Sequence, residues 1–88
     1  MITSERVMAV ICRPVSGKEL VLTEKDNNVI IHRRMEYDSK SGIQTLETLF
    51  GNLRNLPIKL MFIFGLGDTI IINGPNDVLE VNRRLLAL

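Results

Sequence analysis

Two runs in the second half of the chain, Ile58-Lys59-Leu60-Met61-Phe62-Ile63-Phe64 and Thr69-Ile70-Ile71-Ile72-Asn73, are apolar at nearly every position. A strand sends successive side chains to opposite faces, so a run without polar alternation has no face to give to water. Both runs are short and bounded by turn residues, which reads as strand and not helix. They are expected to lie centrally in a sheet and to need cover on both sides. The connection Gly65-Leu66-Gly67-Asp68 is short enough to make them an antiparallel hairpin.

The rest of the chain supplies what such strands pack against. Residues 18–37 read as a second hairpin: Glu19–Glu24, an Asp26-Asn27-Asn28 turn, then Val29–Tyr37. The return strand alternates, with Val29, Ile31, Met35 and Tyr37 on one face and Arg33 interrupting it. Ile30, His32, Arg34 and Glu36 take the other, mostly polar face. Ile43, Leu46, Leu49, Phe50, Leu53 and Leu56 form one helical stripe over 43–56, with Ser41 and Gln44 spaced as a capping box and Pro57 as the stop. Val78, Val81, Leu85 and Leu88 form a second stripe, with Asp77 and Glu80 spaced as a cap pair. The first segment, Arg6–Arg13, is β-branched at Val7, Val10 and Ile11 and reads as a strand, although a short helix beginning at Ser4 fits the same letters. The expected fold is a single α+β domain over 1–88, a mainly antiparallel sheet with two helices in the order β-β-β-α-β-β-α.

Composition narrows the function classes. Eleven basic against ten acidic residues, spread evenly along 88 positions, give no global field for nucleic acid or anionic membrane. The longest apolar stretches are far shorter than a membrane span, and Val7–Cys12 is short for a signal-peptide core. One cysteine, Cys12, allows no intramolecular disulfide and no thiolate metal cluster, so a reducing, cytoplasmic setting is expected. No metal site and no cofactor are expected.

The chemistry-bearing constellations are sparse. His32-Arg33-Arg34 is the one dense basic cluster, and Arg13 on a neighbouring strand would widen it. With Tyr37 as the one nearby aromatic, this sheet face is the candidate for phosphate or base contacts, or for a protein partner. His32 is the sole histidine, and Glu36 lies four residues along an extended strand, about 13 Å away and too far to orient it. Gly65-Leu66-Gly67-Asp68 lacks the third glycine and the Gly-Lys-Ser/Thr ending of phosphate loops and reads as a turn. Asn73–Asp77 leads into a helix N-terminus, an anion-binding position that Asp77 fills itself.

No catalytic set assembles, and two helices cover one face of a sheet whose strands are apolar on both. The expectation is therefore a small non-catalytic protein–protein interaction or regulatory module, working as a homodimer with a further protein partner. The alternative is nucleic-acid binding through the basic face carrying Arg13, His32, Arg33, Arg34 and Tyr37.

Overall fold

A computed structural model describes residues 7–51, 59–65 and 67–88. Five strands and two helices follow in the expected order: β1 Val7–Ser16, β2 Glu19–Asp26, β3 Val29–Glu36, α1 Gly42–Phe50, β4 Lys59–Gly65, β5 Asp68–Ile71 and α2 Pro75–Leu86. The sheet order is β3-β2-β1-β4-β5. Every neighbouring pair is antiparallel except β1–β4, which is parallel and places Val10 beside Phe62. The sheet is therefore mixed.

The first segment is a strand, and a longer one than its β-branched letters suggested. It runs through Pro14 to Ser16, where a bulge between Pro14 and Ser16 breaks the register with β2. Proline has no N–H to give a ladder, so an irregularity at that point costs little.

Alternation builds the core on one face. Val10 and Cys12 of β1, Leu20 and Leu22 of β2, and Leu60 and Phe62 of β4 point the same way. They meet Leu46 and Phe50 of α1, Val81 and Leu85 of α2, and Ile72. Phe62 is at the centre: its ring meets Phe50 edge-on at 5.7 Å and stacks with Phe64 at 6.4 Å. The Cys12 thiol is buried among these groups, and desolvation pushes its pKa up to about 12, so it remains a neutral packing group.

Three expectations about the helices are corrected. α1 ends at Phe50, not at residue 56, because Gly51 takes a left-handed φ of 73° and returns its N–H to Glu47 O at 2.8 Å. A glycine there is a helix terminator. Leu53, Leu56 and Pro57, assigned to the same helix and its stop, lie outside the described residues. Ser41 is the N-cap of α1, yet its hydroxyl makes no cap bond and donates instead to Asp38 Oδ1 at 3.2 Å. That carboxylate also accepts the Lys40 and Ser41 N–H groups, which hold its pKa below the usual range. In α2 the cap residue is Gly74, with Pro75 opening the helix. Asp77 sits three residues in and accepts the Gly74 and Asn73 N–H groups at 3.1 and 2.8 Å. The expected pairing of Asp77 with Glu80 does not form the cap; Glu80 faces Arg83 and Arg84.

α1 enters the core through a close approach. The Tyr37 hydroxyl, buried just after β3, donates to Asn82 Oδ1 of α2 at 2.6 Å, and burial raises its pKa well above the ordinary phenol value. Gly42, at the first turn of α1, presses against this bond, and a Cβ there would collide with Asn82 Oδ1 and the tyrosine ring. Gly42→Ala is expected to destabilise the fold by about 1–3 kcal/mol through overpacking. Thermal unfolding would report this as a melting temperature lowered by roughly 4–8 °C for each kcal/mol.

α2 is also fastened to β5. Arg84 Nη1 donates to Asp68 at 2.5 Å and Arg84 Nε to Glu80 at 3.3 Å. Hydrogen bonds from Arg83, then Arg84, hold Glu80 down to about 2. A depressed carboxylate stabilises the folded state above its unfolded pKa near 4.5 and loses that contribution as pH falls toward about 2. The expected result is a small, salt-sensitive fall in melting temperature between those pH values, shallower in Glu80→Gln than in the parent.

Candidate functional site

Because the core takes one set of alternating side chains, the other set defines the opposite face. The strand registers order it into rows. Ile71, Met61, Ala9, Lys25 and Ile30 form one row from β5 to β3, and Thr69, Ile63, Ile11, Thr23 and His32 form the next. Arg13, Val21 and Arg34 make a third across β1, β2 and β3. The face thus divides. Its β5-β4-β1 part is mostly apolar, with Val7, Ala9, Ile11, Met61, Ile63 and Ile71, and with Lys59 and Thr69 at its margins. Its β2-β3 part is polar and charged.

Both helices pack on the core side, so no described element covers the apolar part. Val7 and Ile71 are exposed, and Ala9, Ile11, Met61 and Ile63 are only half-buried by their sheet neighbours. The expectation that both apolar runs are central strands holds for the first and is corrected for the second. β4 is internal, β5 is an edge strand, and both are covered on the core side alone among the described residues.

The basic cluster divides between the two faces, as the alternation of β3 predicts. Arg13, His32 and Arg34 lie on the open face, whereas Arg33 points to the core side. Each group on β3 is already engaged within the sheet. Arg34 clasps Glu19 through two bonds, Nε–Oε1 at 2.8 Å and Nη2–Oε2 at 2.9 Å. This lowers the glutamate pKa and raises that of the arginine. His32 Nδ1 lies 2.9 Å from Thr23 Oγ1, in a hydrogen bond whose donor depends on the ring tautomer. Tyr37, expected as an exposed stacking partner, is buried against α2 and takes no part in the face.

Arg33 has a task the sequence did not suggest. Glu24 sits on the core face of β2 with only 6% of its surface exposed, and Arg33 Nε reaches it at 2.5 Å. A carboxylate taken out of water needs such a partner. The signal was present in the letters: Glu24 and Arg33 break the apolar faces of the two hairpin strands with opposite charges, on opposite sides of one turn. Among the described residues, no three His, Cys, Asp or Glu side chains gather as metal ligands.

No protein-family model, no curated protein and no solved structure matches this chain.

Removing Arg33 strands the Glu24 carboxylate. Arg33→Met is expected to cost about 1–3 kcal/mol, less than the ~3–5 kcal/mol of a fully buried pair because Arg33 itself is 39% exposed. Chemical denaturation should find that adding Glu24→Leu to Arg33→Met recovers most of the loss, since no unpaired charge then remains.

Proposed function

We propose that this chain is a non-catalytic interaction module that works as a homodimer, two copies packing back to back through the open face of the sheet. The observation that carries the reading is the contiguous apolar area of Val7, Ala9, Ile11, Met61, Ile63 and Ile71, which no described element covers. Monomers rarely leave such an area in water.

A second copy suits it in size and in layout. Five strands about 4.8 Å apart and mostly seven to ten residues long span roughly 500–600 Å² in projection. Side-chain relief brings the accessible area toward the ~800 Å² that each partner gives up in a stable complex. A two-fold axis through the β1–β4 region would bury the apolar part against itself and leave Arg13, Lys25, Arg34, Glu19, Glu36 and Lys59 at the wet rim. Facing sheets pack about 10 Å apart, with aliphatic side chains of this size interleaved between them. The same arrangement weighs against nucleic acid. Arg33 and Arg34 are neutralised by Glu24 and Glu19, and the base-stacking aromatic is buried.

Sedimentation equilibrium is the test. The parent is expected to be dimeric at micromolar concentration, while Ile63→Glu is monomeric with an unchanged circular dichroism spectrum. A parent that stays monomeric at several hundred micromolar overturns the reading. Co-purifying nucleic acid released by salt would replace it with the alternative.

A further inference from the structure

A second surface lies in the plane of the sheet, away from its open face. β3 is the outermost strand, eight residues long, and pairs with β2 one-to-one over its whole length without a bulge. Asp26 and Val29 close a two-residue turn and so form a hydrogen-bonded pair. Alternation then turns the N–H and C=O of Val29, Ile31, Arg33 and Met35 toward β2, and Tyr37 continues the series by donating to Lys18 O at 2.9 Å. Ile30, His32, Arg34 and Glu36 direct theirs outward, where no described strand meets them.

Sheet edges of this length are ordinarily blunted by proline, a bulge or charges held out along the edge. β3 has neither proline nor bulge, both of its arginines fold back onto Glu24 and Glu19, and its one outward charge, Glu36, is at the far end. Instead it displays Val29, Ile30 and Ile31 at 58, 56 and 42% exposure. Beside its second half, α1 forms the other wall of an open groove of about 520 Å³, with Arg33 and Met35 facing Gln44, Thr48 and Leu49. A strand edge flanked by a helix is the geometry by which a sheet accepts an extended peptide.

We infer that β3 is a docking edge for an extended, uncharged, β-branched segment of another protein, which adds to the sheet as a sixth strand along the α1 groove. The chemistry follows from what lines the site. Exposed Val29, Ile30 and Ile31 favour β-branched neighbours across the strand. Both guanidiniums already have carboxylate partners and Glu36 lies at the end of the strand, so a charged side chain at the centre of the peptide would lose water without gaining a mate. A second copy of β3 is disfavoured, because it arrives with its own α1 beside it and with Arg33 and Arg34 opposed to this edge.

The probe is an acetylated, amidated hexapeptide of alternating threonine and valine, followed by amide-resolved NMR and hydrogen exchange on the whole chain. The amides of Ile30, His32, Arg34 and Glu36 are expected to gain protection, while those of Val29, Ile31 and Met35, already bonded to β2, do not change. The same peptide N-methylated at alternate residues, and one with a central glutamate or lysine, should each bind about tenfold more weakly. His32→Pro removes one outward N–H and no ladder bond, and should abolish binding while leaving the dispersion of core resonances intact. No shift at about 1 mM peptide, equal binding of the N-methylated peptide, or shifts gathered on Ile11, Met61 and Ile63 would overturn the inference. So would protection of the even-numbered β3 amides that rises with protein concentration alone, which would assign the edge to a second copy. The readouts are residue-specific, so failure here leaves the dimer through the open face untouched, and the reverse holds.

Discussion

The parallel pairing of β1 with β4 is the contact on which the rest of the molecule depends. Without it the chain is two fragments, a three-stranded meander and a two-stranded hairpin, and small sheets of that kind are marginal in water unless something packs on them. Five register pairs, from Val7–Lys59 to Ile11–Ile63, join the fragments into one sheet. The join places Val10 beside Phe62, both completely buried, and so produces a continuous apolar floor for α1 and α2. Closing it brings together residues some fifty positions apart, an entropic cost that only burial on the core face offsets.

That pairing also explains how far the fold was legible in the letters. Order and type of the elements depend on local periodicity, and Glu19–Asp26, Val29–Glu36 and Pro75–Leu86 carry it plainly. The neighbour of β1 on its far side depends on nothing local, so the mixed sheet and the edge position of β5 had no signature. Helix ends fell between these cases. Leu53 and Leu56 continue the apolar stripe of α1, but the stripe records where a helix would bury side chains and not where the backbone stops. Gly51 decides that through its left-handed φ. Similarly, Ser41 and Gln44 have capping-box spacing, yet Asp38 competes for the Ser41 hydroxyl and takes it.

The candidate site shows the same division. Adjacent arginines in sequence are on opposite faces of a strand, so the dense run His32-Arg33-Arg34 splits between core side and open face. That split was legible from alternation; the three separate cross-strand partners, Glu24, Glu19 and Thr23, were not. Tyr37 is one position past the strand, where the alternation still points it inward, and Asn82 supplies the partner a buried hydroxyl needs. The open apolar area, in contrast, was implicit in the lack of alternation in β4. Only the placement of both helices on one side turned that pattern into a surface.

Satisfying β3's charges at home has a structural consequence. Alternation turns Arg33 inward, where Glu24 holds it, and the Glu19 clasp draws Arg34 along the sheet, so neither guanidinium guards the strand edge. The ion pairs that keep the hairpin together are thus the reason its outer backbone is bare. In a domain this small the core can use only one face of its sheet, because two short helices cannot cover two. The open face and the β3 edge are both consequences of that limit. They lie at right angles, one along the side-chain direction and one along the hydrogen-bond direction. A partner on either would leave the other accessible, so the proposed self-association through the face and the inferred docking at the edge do not compete for the same groups.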